Sequence, residues 1–407
     1  MTLKNQAKFK LIVKPDQNIS NLHEVVKIKI NESIDYYSSL NVSISARLIN
    51  REDTNDYWKE EVSKFINRKK YRVNGIKFNN TLDDNYTVFK LSGGIAFPYT
   101  LFVSNFDGEI PTTSVIGVKS FNRREFTDKV TYEELAEVTL GKSHLVTKPI
   151  NFSFSAEKVI LLSSAIQRNY YHWMVECLPK LESIIPLLKA DRSVKLLLDF
   201  NLPSFVYDSL ALYGISQDRV KCLKEVTAFS EVVFATRISR SNQTISPLVK
   251  SFYQNFNKRF LNKNVATRST SKRIYISRAN AHMRRLVNEE KLTQKLEKFG
   301  FKIIYSEELS LIEQAQVFYD ANFIIGAHGA GLANLVFCRP KTKVIELIHA
   351  EFNQGVTSYA ALSELFSLEY YLHVSEAKAA SDPQSKQNSD FYADLDMLDS
   401  ALTTLLP

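Results

Sequence analysis

Two rhythms of apolar and polar residues divide the chain. Up to about residue 150, short β-branched and aromatic runs such as Val26-Lys27-Ile28-Lys29-Ile30 and Thr100-Leu101-Phe102-Val103 alternate with turn signals, Ser92-Gly93-Gly94 and Asp107-Gly108 among them. Runs of that length and punctuation predict a β-rich region. From about 157 the period changes. Val159-Ile160-Leu161-Leu162 reads as a buried strand, and an apolar helical stretch over 172–189 follows, interrupted by Pro179 and Pro186. Leu196-Leu197-Leu198 is the next strand, 203–213 a helix beginning near Pro203, and Val232-Val233-Phe234 a further strand. The polar stretch Ser239 to Ser246 begins a transition, and Asn262 to Ser271 reads as an interdomain linker.

The strand–helix alternation then restarts more cleanly. Arg273 to Ser277 is a strand, and 288–299 a helix capped by Asn288 and stopped by Gly300. Phe301 to Tyr305 is a strand, and Ser310 with Glu313 forms a capping box for a helix running to about Ala321. Asn322 to Gly326 is a strand, followed by a glycine turn and a helix to Phe337; then come a strand over Lys343 to Ile348, a helix over 356–366 and a strand over Tyr370 to Val374. Five strands with intervening helices predict a parallel, Rossmann-like sheet. A polar stretch, 376–389, leads to a last amphipathic helix near 391–405. The organisation expected is a β-rich region over 1–150, an α/β domain over 151–260, a Rossmann-like domain over 272–375, and a polar linker with a C-terminal helix over 376–407.

Composition narrows the class. A chain of 407 residues suits two domains, and 44% hydrophobic with 24% charged residues is the balance of a globular protein. Its formal net charge of +8 favours an anionic partner, a phosphorylated small molecule or a membrane surface. The basic residues are scattered, with only short clusters such as Arg68-Lys69-Lys70 and Arg284-Arg285, so a nucleic-acid partner is not expected. Cys177, Cys222 and Cys338 have neither paired nor metal-ligand spacing and read as small buried hydrophobes. The opening residues lack the apolar core of a leader peptide, and no apolar run reaches the ~18 residues of a membrane span. The expectation is a cytoplasmic protein, with peripheral association at the inner face of the membrane.

Candidate chemistry concentrates at Ile324-Ile325-Gly326-Ala327-His328-Gly329-Ala330-Gly331-Leu332, an apolar strand running into a small-residue turn that opens a helix. Glycines let the backbone approach a ligand closely, and the free N–H groups at a helix start favour an anion. His328 can donate to a phosphate or sugar oxygen, and Asn334 sits about one turn further on. A ligand-free strand-to-helix turn is the alternative for Gly-x-Gly alone. Asn334 stands where the dinucleotide fingerprint has its third glycine, and the turn follows the third strand of its domain rather than the first, which disfavours a nicotinamide or flavin enzyme. Glu346, read as the end of the next strand, suits two ribose hydroxyls. Arg278, Arg284 and Arg285 suit a diphosphate, whose oxygens match the guanidinium fork.

A second constellation is Asn169-Tyr170-Tyr171-His172-Trp173-Met174-Val175-Glu176-Cys177-Leu178-Pro179. On a helix, His172 and Glu176 share a face of an otherwise apolar element. Either the pair is a general base and its partner, or it is a structural His–Glu contact supporting the core; the segment alone leaves both open. No metal-ligand spacing occurs nearby.

Taken together, three stretches in order resemble glycosyltransferase family 61. They are Asn169-Tyr170-Tyr171-His172-Trp173 with Glu176 and Leu178-Pro179; Ile276-Ser277-Arg278 with Arg284-Arg285 and Asn288-Glu289; and His328-Gly329-Ala330-Gly331-Leu332-Ala333-Asn334 with Phe337, Pro340 and Val344-Ile345-Glu346-Leu347. The resemblance covers roughly 150 to 375, and residues 1–150 share in none of it. It implies an α/β fold of the GT-B type, with two Rossmann-like domains facing a cleft. It also implies a nucleoside-diphosphate sugar donor, UDP-linked by preference, a glycan or glycolipid acceptor, and inverting transfer without a metal or other cofactor. Glu176 would then be the base with His172 beside it, and Arg278, Arg284, His328, Gly329, Ala330, Gly331, Asn334 and Glu346 would hold the donor. Many members carry Asp where this chain has Glu176. A capsular or surface polysaccharide is the expected product. The competing reading is a catalytically inactive nucleotide- or glycan-binding subunit of a polysaccharide-assembly complex.

Overall fold

A computed structural model describes residues 150–162, 168–225, 227–235, 238–240, 244–261, 272–349, 357–375 and 388–406, with short strands earlier in the chain. Those early strands are Asn5–Ala7, Lys10–Ile12, Val26–Ile28, Val88–Ser92, Ile95–Ala96, Val103–Ser104 and His144–Val146. The rest of the region 1–150, the linker 262–271 and most of the stretch 376–389 lie outside the described residues. The described chain falls into two compact units that divide between Ile238 and Ser239. Among the described residues no helix is long and apolar enough to cross a membrane.

In the first unit, β1 (Ile150–Leu161), β2 (Lys195–Asp199), β3 (Val220–Leu223) and β4 (Thr227–Ala235) form a parallel core in the order β3-β2-β1-β4. Val88–Ser92 adds to β4 antiparallel, and Val26–Ile28 adds to that strand. Val159, Leu161, Leu197, Phe229, Val232 and Phe234 make one buried cluster on this sheet. Each such side chain, fully withdrawn from water, stabilises by about 1.5–3 kcal/mol. α1 (Leu181–Ala190) and α2 (Ser204–Leu212) pack their apolar sides inward through Leu181, Ile184, Leu188, Val206 and Leu210. Pro186 lies inside α1. Before α1, the interrupted helical stretch expected over 172–189 opens as one α-turn at Tyr170–His172, a π-helical turn at Trp173–Cys177 and a 3₁₀ turn at Leu178–Lys180. Pro179 has no N–H to give, which favours starting a new turn at its position.

The second unit opens with α3 (Pro247–Phe260), a helix the sequence pattern did not flag, capped by Ser246, whose hydroxyl accepts from Leu248 N. Its Tyr253 and Phe256 rings pack on Phe337 at centroid distances of 5.1 and 5.2 Å. The unit's sheet is built from β5 (Arg273–Ile276), β6 (Lys302–Ile304), β7 (Phe323–Ala327), β8 (Lys343–His349) and β9 (Glu369–Ser375). All neighbours are parallel, in the order β6-β5-β7-β8-β9. Every residue of β7 is buried, as a central parallel strand covered on both faces requires. Chain order is therefore second, first, third, fourth, fifth, and the reversal falls between β5 and β7.

Helices α4 (Glu289–Lys298), α5 (Leu311–Asp320), α6 (Thr357–Leu365) and α7 (Leu395–Leu405) complete the unit. The capping box at the start of α5 forms as expected, with Ser310 N donating to Glu313 Oε2 at 2.9 Å. At the end of α4, Gly300 adopts φ +77° while Phe301 N reaches back to Leu296 O and Gly300 N to Glu297 O. That pattern needs a left-handed residue, which glycine supplies without a Cβ clash. Asn288 does not cap α4 with its side chain. Its amide instead pairs with the backbone of Ala393, donating to the carbonyl and accepting from the N–H. The segment before α7 is thereby strapped to α4. Leu292, Leu296, Phe301, Phe391, Leu398 and Leu402 share a core with Tyr275, Ile325, Ile345, Leu347 and Tyr371 of the sheet.

Candidate active site

The point where strand order reverses, at the carboxyl ends of β5 and β7, is where open parallel sheets bind ligands. Ser277 and Arg278 follow β5, and His328 and Gly329 follow β7. The sheet thus brings together two stretches about fifty residues apart in sequence. One carboxylate fixes the first of them. Glu289 Oε1, in the opening turn of α4, accepts from Tyr275 Oη at 2.8 Å, Ser277 Oγ at 3.0 Å and Arg278 N at 2.9 Å.

The Arg278 side chain folds across the glycine turn. A Cβ built on Gly329 would sit 1.7 Å from Arg278 Nη1 and 2.6 Å from Cζ, so only glycine leaves room for the guanidinium. Gly329 itself is extended, at φ 176°, and its role is close approach rather than special backbone freedom. Arg278 Nη2 donates to Met283 O at 2.9 Å, while Nε is buried without a hydrogen bond among the described residues. Burial pulls the Arg278 guanidinium below its ordinary range, opposed by the nearby Tyr359, Tyr275, Glu289 and Glu307. Burial and the charge of Arg278 act the same way on Arg284, opposed by Tyr359 and Glu346. Arg284 takes a left-handed conformation, φ 55°, and its N–H bonds to Asn388 O in the strap. Two partly buried guanidiniums near enough for the charge of one to act on the other offer the donor set that an anion needs. Arg285 plays a different part: it clamps Asp390, with Nη2 to Oδ2 at 2.9 Å and its N–H to Oδ1 at 2.9 Å.

Beyond Gly329 the chain forms a 3₁₀ run, Ala330–Phe337, in place of the α-helix expected there. The amides of Ala330 and Gly331 head that run and have no intrahelical acceptor. The turn is braced by Tyr359, whose hydroxyl donates to Gly329 O at 2.6 Å. Burial, aided by Glu346, pushes the Tyr359 hydroxyl above its ordinary range, so it stays a donor. Asn334 lies fully buried and gives its amide to Gln314 Oε1 at 2.7 Å. That bond ties it to α5, within a 3₁₀ run that turns its residues faster than an α-helix does.

Glu346 is the larger departure from expectation. It is mid-strand in β8, opposite Gly326 and Leu372 in the ladder, with no exposed surface. The strand runs on to His349, so Glu346 is not at a strand end open to a ribose. Oε1 meets His328 Nδ1, and Oε2 accepts from the Tyr370 hydroxyl. A carboxylate in this apolar sheet would be strongly disfavoured without such partners. His328 retains a little exposure, 13% of its side chain, and stands 5.1 Å, ring to ring, from Tyr359.

The first unit holds the other constellation. His172 Nδ1 and Glu176 Oε2 approach to 2.9 Å across the π-helical turn, with 18% and 14% of the side chains exposed. The approach is at ion-pair distance but off the line of a directed N–H donor. Single π turns inside helices occur frequently at functional sites, because they rotate the following side chains onto a new face. Trp173 anchors the turn, donating from Nε1 to Ser209 Oγ at 2.9 Å in the core. Asn169 caps its start through Oδ1, which accepts from Tyr171 N.

Glu289, Tyr359, Tyr370 and Gln314 support the site without having been singled out from the sequence as site residues. For Tyr359 and Tyr370 the pattern held no signal, since tyrosine at a core position of a helix or strand reads as packing. Glu289, in the first turn of a capped helix, reads as a dipole-favoured acid.

Comparison with known proteins falls on the same stretches. Residues 170–345 match the family described as Glycosyltransferase 61. A β-1,2-xylosyltransferase of Arabidopsis thaliana is 30% identical over 109 residues, which are 23% of this chain and 20% of that protein. The β-1,2-xylosyltransferase RCN11 of Oryza sativa subsp. japonica is 40% identical over 63 residues, 16% of this chain and 11% of that protein. The chain therefore aligns with about a fifth or less of these relatives' own length. Over its central stretch, with the glycine turn, Arg278 and the His172–Glu176 segment inside it, the chain is similar to glycosyltransferase family 61, and both relatives support that assignment.

Proposed function

We propose that the chain is a glycosyltransferase that moves a sugar from a nucleoside diphosphate to a hydroxyl of a glycan. One observation carries the reading: two partly buried guanidiniums, Arg278 and Arg284, at the strand-order reversal, with Arg278 laid across Gly329 beside the amides of Ala330 and Gly331. That chemistry suits a diphosphate, and charge developing on a departing diphosphate is what a transferase must stabilise. UDP is the nucleotide we propose, and xylose is the first sugar to offer, because both curated relatives are named for its transfer.

Glu176 is proposed as the general base that takes the proton of the acceptor hydroxyl, with His172 holding its carboxylate. The hydroxyl oxygen then attacks the anomeric carbon, the bond from that carbon to the diphosphate oxygen breaks, and the configuration inverts. The two arginines supply the positive charge at the leaving group, which supports a reaction needing no metal. A surface or capsular glycan is the acceptor class we propose.

The test is a thermal-shift and product-release panel of UDP-, GDP-, dTDP- and CMP-sugars, with glycan fragments as acceptors. Stabilisation by one nucleotide family, with release of the diphosphate only when acceptor is present, is the expected result. Nucleotide binding with no release under any pairing would favour an inactive binding subunit instead. Binding to none would end the donor reading. A chelator should leave transfer unchanged; its loss, restored by a divalent cation, would refute the metal-free step.

A further inference from the structure

Glu346 does not reach the site directly, yet both its oxygens are committed, one to His328 and one to Tyr370. The consequence lies on the imidazole. An ionised carboxylate can only accept, so the ring nitrogen against it must carry the proton. When the ring is neutral, its hydrogen is then on Nδ1 and its lone pair on Nε2. Without such a partner the neutral ring is free to take either tautomer.

We propose that Glu346 and Tyr370 are positioning residues that hold His328 as the Nδ1–H tautomer, so that Nε2 accepts a hydrogen bond from a hydroxyl of the donor. The reading divides the labour of the site. Phosphate oxygens, which accept, belong to Arg278, Arg284 and the amides of Ala330 and Gly331. A hydroxyl, which donates, belongs to His328. The groups facing His328 fit that division: Glu346 from β8, Tyr370 behind it from β9, and Tyr359 from α6. Tyr359 already spends its proton on Gly329 O, so it does not compete as a donor to the ring. The tautomer needs only the folded second unit, whereas the hydroxyl partner rests on the nucleotide-sugar reading above.

Two measurements separate those parts. Nitrogen-15 correlation spectra of the histidine-labelled chain, with the His328 signals identified by their absence in His328→Phe, report the tautomer of the free protein. Nδ1–H is expected in the wild type, with a shift toward Nε2–H in Glu346→Gln and a smaller one in Tyr370→Phe. An Nε2–H ring in the wild type would overturn the proposal whatever the variants do. The second measurement is affinity of wild type and His328→Phe for UDP and for UDP-xylose. Loss of about tenfold for both ligands places the hydroxyl on the ribose, and loss confined to UDP-xylose places it on the transferred sugar. Equal affinity of wild type and variant for both would overturn the hydroxyl assignment. If the wild type binds neither nucleotide, the donor reading fails while the tautomer result stands on its own.

Discussion

Replacing Gly329 by alanine tests the packing on which the anion site depends. The added methyl would lie 1.7 Å from Arg278 Nη1 and 2.6 Å from Cζ. Ordinary contact between such atoms is 3.5–4.0 Å, so the guanidinium must retreat by roughly 2 Å. Backbone strain does not contribute, because φ at Gly329 is 176° and alanine adopts that conformation freely. The whole effect therefore passes through Arg278. Its retreat breaks the bond from Nη2 to Met283 O and withdraws the fork from a diphosphate. The guanidinium is the far end of a flexible side chain, so the folded state should lose only about 1 kcal/mol, the low end of overpacking. Nucleotide affinity should suffer more: one charged hydrogen bond is about 1.5–3 kcal/mol, or roughly 10- to 100-fold in Kd. The assay is a double-mutant cycle by calorimetry and thermal melting over wild type, Gly329→Ala, Arg278→Ala and the double variant. Once Arg278 is gone, the methyl has nothing to displace, so the second substitution should change affinity little further. Additive losses, or a Gly329→Ala protein that binds nucleotide as the wild type does, would refute the reasoning.

Three further outcomes are expected. Glu176→Gln should abolish transfer while leaving nucleotide affinity within about twofold, and near-normal turnover would remove Glu176 as the base. Trp173→Phe should lower stability by about 1–2 kcal/mol by deleting the buried bond to Ser209, measured by denaturant titration, with the larger loss falling on the geometry of the His172–Glu176 turn. Burial in the sheet pulls His373 down to about 4, against its ordinary 6.5. The unfolded chain then binds a proton between those values that the folded chain does not. The stabilisation is therefore complete above about pH 6.5 and is lost on acidification toward about pH 4, to the extent of about 3 kcal/mol. A His373→Leu variant should show a correspondingly shallower fall in Tm over that window, and parallel curves would show that His373 does not set the acid limit.

Much of this was legible before any coordinates. A capped amphipathic pattern such as Ser310 to Asp320, or an unbroken apolar run such as Phe323 to Ile325, has one low-energy local form, and neighbours in sequence are enough to specify it. The same holds for Gly300, whose place just past a periodic helix predicts the left-handed stop it makes. The parallel second sheet followed from the alternation of such elements. Less legible were the π and 3₁₀ turns at Trp173–Lys180 and Ala330–Phe337, where packing decides between helical forms that differ little in local energy. Helix α3 was missed because its polar face, rich in Lys, Gln and Asn, masked an apolar stripe that has meaning only against Phe337.

The sequence by itself placed an anion-favouring turn at His328 to Gly331 and basic residues at 278 and 284, because small residues and guanidiniums carry their chemistry with them wherever they lie. What each polar side chain faces was decided only by the tertiary structure. Glu346 and Asn334 show it. Sheet register set Glu346 in mid-ladder against His328 and Tyr370, and a tighter helical run turned Asn334 onto Gln314. Orientation of that kind depends on partners tens of residues away, which no local pattern encodes.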